Sequence, residues 1–164
     1  MGERRDEPGR ADGPGDEVPG GGVPGGGLPG GGLPGDAGAP AAESAYELLH
    51  RGTALLGKRH HAQAAVVLQR AATLEPRRGS ILEPLGRAYF MSGQLDRAHE
   101  TFTALLDVDP TSPYGHYALG RTLGRLGRRT EAITHLRLAV VLAPGSRLYR
   151  GALERLTSAE GRGE

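Results

Sequence analysis

Four kinds of residue recur in this chain at one interval of 34 positions, with no insertion between copies. They are Gly52, Gly86 and Gly120; Ala64, Ala98 and Ala132; Leu68, Phe102 and Leu136; and Pro76, Pro110 and Pro144. Four marks that hold one register through three copies demand a fold that is itself periodic. A unit of this length cannot bury a core alone, so each copy has to stack on its neighbours, and the length suits a pair of helices. Stacked helical hairpins enclose a groove, and a groove of that kind binds something.

The helical reading follows from spacing. Ala64, Val67, Leu68, Ala71 and Leu74 fall on one helical face, and Leu95, Ala98, Phe102, Leu105 and Val108 do the same one copy later. Glycine within a helix costs about 1 kcal/mol relative to alanine. Three glycines at one equivalent place therefore predict a helix crossing too close for a Cβ, with Ala64, Ala98 and Ala132 as its small partners. Helix starts are expected at Ser44 with Glu47 and at Ser80 with Glu83, both at capping-box spacing, and at Ser112 followed by Pro113. Pro76, Pro110 and Pro144 end the second helix of each pair, because the residue before a proline is barred from helical geometry. Pro84 is expected to distort its helix locally. After the third copy Leu148, Tyr149, Ala152, Leu153 and Leu156 form one apolar stripe, with Arg147, Arg150, Glu154 and Arg155 elsewhere.

Residues 45–78, 79–112 and 113–146 each resemble the tetratricopeptide repeat. The middle copy carries Leu85-Gly86, Tyr89, Ala98, Phe102 and Pro110 in the places that the repeat prescribes, while its usual tryptophan is Leu48, Leu82 and His116 in the three copies. The outer copies place Leu55 and Leu123 where the middle one has Tyr89. The resemblance implies an all-α, right-handed solenoid over residues 43–160, closed by a solvating helix at 147–159. It also implies that the first helix of each hairpin lines a concave surface. The residues brought there are Tyr46, Leu49, Thr53 and Leu56, then Glu83, Arg87, Phe90 and Met91, then Tyr114, Tyr117, Arg121 and Arg125.

Such a mixture suits a peptide or protein segment, with Tyr114 and Tyr117 as apolar anchors and Arg87, Arg121 and Arg125 meeting acids. A bland reading stands beside it: Glu83 and Arg87 are an ordinary surface pair at i and i+4, and the tyrosines pack between helices. The Lys and Asn clamp by which relatives hold Hsp70 or Hsp90 tails is absent, since Leu49, Thr53, Pro84, Tyr114 and Ala118 occupy its places.

Composition narrows the rest. With no cysteine among 164 residues, disulfides and thiolate metal sites are excluded, and neither a metal nor any other cofactor is expected. No apolar run approaches the ~18 residues of a membrane span, and no secretory leader is read at the start, so a cytoplasmic protein with no membrane attachment is expected. Nineteen of the 20 cationic residues are arginine, a codon-level bias that says little about phosphate binding. Residues 1–42 read as a disordered, flexible leader rich in Gly and Pro. Their Val-Pro-Gly-Gly-Gly and Leu-Pro-Gly-Gly-Gly pentads resemble elastin repeats and offer little to bury. Residues 1–40 hold three arginines against seven acids, a net −4, which leaves +5 on the remainder.

The six histidines show no ligand spacing and read as surface residues, with His60 and His61 in a turn. The motifs of nucleophile elbows, phosphate loops and dinucleotide folds are missing, so an enzyme is not expected. Two other functions stay open. The cluster Arg121, Arg125, Arg128 and Arg129 near Tyr114 and Tyr117 offers weak single-stranded nucleic-acid binding, although nucleic acid is the less favoured partner. Exposed helices offer self-association.

Overall fold

The computed structural model describes residues 42–158, and within them the chain is a run of helices. The expected leader, residues 1–41 in particular, and the last position of the expected closing helix lie outside the described residues. Seven helices follow one another: α1 (Ala45–Gly57), α2 (His61–Leu74), α3 (Gly79–Met91), α4 (Leu95–Val108), α5 (Pro113–Arg125), α6 (Arg129–Leu142) and α7 (Arg147–Ser158). Each packs on the next. In addition α1 meets α3, α3 meets α5 and α5 meets α7, whereas α2, α4 and α6 do not meet one another. The layer whose members touch in succession is the tighter one, so the odd-numbered helices form the inner wall of the array.

The periodic residues account for that stacking. A Cβ added to Gly52 would lie 2.4 Å from Leu68 Cγ, one on Gly86 would lie 2.5 Å from Phe102 Cε1, and one on Gly120 would lie 2.8 Å from Leu136 Cγ. Each glycine is thus a socket for the large apolar residue of its own hairpin partner. Ala64, Ala98 and Ala132 are completely buried beside these contacts, but it is the larger residue that fills the gap, with only the Ala132 carbonyl also close to Gly120. Leu48, Ile81 and Leu123 complete the deepest layer. Leu74 and Val108, read as part of the apolar face, are exposed instead: they end α2 and α4 beyond the last inner-helix neighbour.

Helix starts obey the register over the local motif. Ser44 accepts from the Glu47 amide and Glu47 reaches back to the Ser44 amide at 2.8 Å, a complete capping box. The Ser44 amide first, and then the Ser44 hydroxyl, which also donates to this carboxylate at 2.8 Å, hold the Glu47 carboxyl below its ordinary value. Ser112 accepts from the Gly115 amide, with Pro113 in the first helical position. The expected cap at Ser80 is not formed. The N-cap of α3 is Arg78, one repeat from both Ser44 and Ser112, and it offers no side-chain cap; instead its Nε donates to the Ser80 hydroxyl at 3.2 Å. Pro84 consequently sits two residues deeper than the motif suggests, yet α3 runs through it unbroken and its ring is buried.

A fifth periodic position lies in the turn within each hairpin. Gly93 and Gly127 have φ of +80° and +78°, and their counterpart in the first hairpin is Arg59, at φ +62°. A side chain in this left-handed region costs about 1–2 kcal/mol, which glycine avoids.

Three outcomes are expected in denaturant unfolding. Gly86→Ala lowers stability by about 1–3 kcal/mol, because overpacking against the Phe102 ring outweighs the ~1 kcal/mol gain in helix propensity. Gly57→Ala, whose Cβ would meet nothing within 4 Å, is neutral or mildly stabilising. Arg59→Gly raises stability by up to about 1 kcal/mol; an unchanged or lower midpoint would show that the turn is not strained.

Candidate functional site

On the inner wall α3, α5 and α7 bring together two adjoining clefts. The first, of about 250 Å³, is lined by Phe90, Met91, Phe102, Tyr114, Tyr117, Ala118 and Leu148, with Arg87 and Arg121 at its rim. The second, of about 240 Å³, is lined by Gly120, Gly124, Leu136, Ala152 and Leu156 together with Arg121, Arg125 and Arg155. Arg121 belongs to both. Each is smaller than the roughly 300–1,000 Å³ of sites that enclose a whole small molecule, and each is the size for a single side chain.

Aromatic packing sets the floor. Tyr117 is buried, its ring 4.9 Å from Tyr149 and 6.1 Å from Tyr114, and Tyr114 stands edge-on to Phe102 at 6.5 Å. Burial first, and then the negative charge of Glu83, push the Tyr114 hydroxyl up to about 12, so it stays neutral. The Tyr149 hydroxyl is raised for the same first reason, with Tyr117 and Glu83 adding to it.

Two arginines are pinned over this floor without being neutralised. The Arg121 and Arg125 guanidiniums both lie 4.9 Å from the Phe90 ring centre, within cation–π range. Arg121 donates to the Tyr117 hydroxyl at 3.1 Å and Arg125 to the Phe90 carbonyl at 3.0 Å. Neither cleft has an acidic lining residue. The Glu83–Arg87 ion pair that the spacing offers is not formed among the described residues, where the ion pairs are Arg51 and Arg70 with Glu43, Arg78 with Glu75, and Arg128 with Glu131.

The expected concave residues therefore divide. Arg87, Phe90, Met91, Tyr114, Tyr117 and Arg121 meet at the first cleft and Arg125 at the second, whereas Tyr46, Leu49, Thr53 and Leu56 lie on α1, away from both. Tyr46 is exposed beside His50, and the Thr53 hydroxyl is turned back on the Leu49 and His50 carbonyls. Leu56 is buried in the core. Leu148, one of the apolar stripe that the sequence marks on α7, is exposed at the cleft. Sequence reading missed that place, and it missed Arg155. Both were available from the register, since Leu148 lies 34 residues after Tyr114, and Arg87, Arg121 and Arg155 form one series at that interval. Of the arginine cluster read as a nucleic-acid surface, Arg121 and Arg125 line the second cleft, while Arg128 pairs with Glu131 at 2.6 Å and Arg129 donates to the Leu156 carbonyl.

The histidines correct a second expectation. His116, in the repeat's usual tryptophan place, is buried, and His60 and His61 cap and begin α2 rather than forming a turn. The Pro110 carbonyl can only accept, so the Nε2 of His116, 3.0 Å from it, carries a proton; its Nδ1 then faces the His135 Nδ1 at 3.0 Å. One proton bridges the pair, and a second would set N–H against N–H. A group of three or more residues that could hold a metal ion is absent among the described residues.

The sequence profile of the tetratricopeptide repeat matches residues 55–121, and a second profile of the same description matches residues 114–145. The chain belongs to the tetratricopeptide repeat family. Over 104 residues, 63% of this chain, it is 33% identical to Superkiller complex protein 3 of Mus musculus, and it spans 6% of that protein's length. Among solved structures, the first repeat domain of Spaghetti bound to an HSP90 peptide superposes with a TM-score of 0.68 at 14% identity, over 72% of this chain and 94% of that one. The Yersinia enterocolitica secretion chaperone SycD, in complex with a peptide of the translocator YopD, gives 0.64 at 19% identity, over 70% and 93%. At these identities the likeness is one of fold. No helix among the described residues is long and apolar enough to cross a membrane.

Burial, and then the neighbouring His116, hold the His135 imidazole below its ordinary value, with His99 acting the same way and Glu131 opposing. A base depressed in the folded state gives stability that is full above the unfolded value of about 6.5 and is lost as pH falls through the folded value. The melting temperature is expected to drop between pH 7.5 and 5.5, and His135→Gln to flatten that drop; equal pH slopes in the two proteins would contradict the assignment.

Proposed function

We propose that this protein is a non-catalytic interaction module, a scaffold or adaptor that holds an extended segment of a partner protein along the inner wall of α3, α5 and α7. One observation carries the reading: an apolar, side-chain-sized cleft among Phe90, Tyr114, Tyr117 and Leu148 is rimmed by arginines that no acid of the described chain neutralises. Exposed Met91 and Leu148 add apolar contact that can adapt to its ligand, as interface methionines do. Relatives of the same fold, the Spaghetti domain and SycD, are peptide binders by their descriptions, which supports the same use of this groove. The tail-clamp places hold Leu49, Thr53, Pro84, Tyr114 and Ala118, so the ligand is a segment other than an Hsp70 or Hsp90 tail.

The test is affinity purification from the native cell with the full chain as bait. A Met91→Glu/Leu148→Glu variant is expected to lose specific partners that the parent retains, while Val66→Glu, on the exposed side of α2, keeps them. Partners that survive the first variant, or an RNA-dependent set that washes away with moderate salt, would remove the reading.

A further inference from the structure

Arg87, Arg121 and Arg155 occupy one register position on three successive inner helices, α3, α5 and α7. Packed helices lie about 8–10 Å apart, so the series is a ladder of cations whose rungs are about three residues of extended chain apart, at ~3.3 Å per residue. The apolar cleft lies between the first two rungs and the arginine-lined cleft between the second and third. Resting on the groove reading above, we propose that this ladder selects an acidic peptide: a bulky apolar side chain enters the first cleft, and an oxyanion two or three residues along is gripped by Arg121, Arg125 and Arg155.

Three features support that occupant. The second cleft gathers three guanidiniums and no acid, a local excess of positive charge that favours an incoming anion. Arg121 and Arg125 are held in place by the Phe90 ring and by one hydrogen bond each, which leaves most of the five N–H donors of each available to a ligand. Planar guanidiniums fixed before binding lose little freedom on meeting a carboxylate or phosphoryl group two oxygens at a time. The third rung is also shaped: a Cβ on Gly151 would lie 3.3 Å from the Arg155 Nη1, so glycine leaves room for that side chain to lie against α7. The first cleft meanwhile excludes a flexible or polar residue by chemistry, since its lining apart from the two rim arginines is aromatic, Met, Leu and Ala.

The measurement is fluorescence anisotropy of the full chain with labelled ten-residue Gly/Ser peptides. Each bears a Leu followed, two or three residues later, by Glu, by phosphoserine, by a free C-terminal carboxylate, or by Gln as control; a second set replaces Leu with Gly. At least one oxyanion peptide is expected to bind tenfold or more tightly than both its Gln and its Gly counterparts, and the three anion arms identify which source is taken. Arg155→Gln is expected to abolish the gain from the oxyanion and keep that from Leu, and Leu148→Ser to do the opposite, with unchanged circular dichroism in both. Binding that follows Leu alone, or an oxyanion gain that survives Arg155→Gln, would overturn the ladder while leaving the groove reading intact. No binding of any peptide at millimolar protein, with polyuridylate bound in a steeply salt-dependent way, would overturn both.

Discussion

The stacking of this protein depends on one steric fit repeated three times: a residue without a side chain accepts the largest apolar residue of the helix packed on it. Gly86 under Phe102 accepts the bulkiest residue, because an aromatic ring enters where the other hairpins use leucine. The fit sets how closely the helices of a hairpin approach. That approach lets the inner helices also touch one another, and so determines which side chains look into the groove. Interiors are packed too densely for such a crossing to loosen gradually. A misfit at one socket would therefore be passed along the array as a change of helix angle.

Much of this was legible in the amino-acid sequence because a strict period leaves few alternatives. The hairpins follow from spacing, the α7 stripe apart from Leu148 from its apolar pattern, and the place of Arg87, Tyr114 and Arg121 on the inner helices from the register together with the resemblance to the repeat. Where reading failed, a local motif was preferred to the register. Ser80 with Glu83 has good capping spacing, yet the helix starts at Gly79, in step with Ala45 and Pro113, because stacking decides where a helix must begin. His116 reads as a surface residue from its chemistry, although its counterparts in the register, Leu48 and Leu82, are core. The arrangement of the clefts was not legible. It depends on which rotamers the arginines adopt, and those are set by a phenylalanine ring 31 or 35 residues away in sequence.

The electrostatics of the groove differ from those of the outer surface. Arg78 and Arg128 are each satisfied by an acid three residues away, exposed pairs of the kind that contributes little to stability. Arg121 and Arg125 are instead held by aromatic faces and neutral oxygens, which restrain the cation and leave its charge uncompensated. Restraint of this kind lowers the cost of ordering these side chains against the ligand proposed for the groove.

The share of α7 in the groove has a consequence for kinetics. This helix supplies Leu148 to one cleft and Arg155 to the other, yet among the described helices it rests only on the last hairpin, through Tyr149, Ala152, Leu153 and Leu156. Segments with few supporting neighbours open locally long before the whole molecule unfolds. Undocking of α7 alone would dismantle both clefts at once and let a segment held there, as proposed, depart without disturbing α1–α4. Residence time in the groove would then be governed by how often one short helix lifts away.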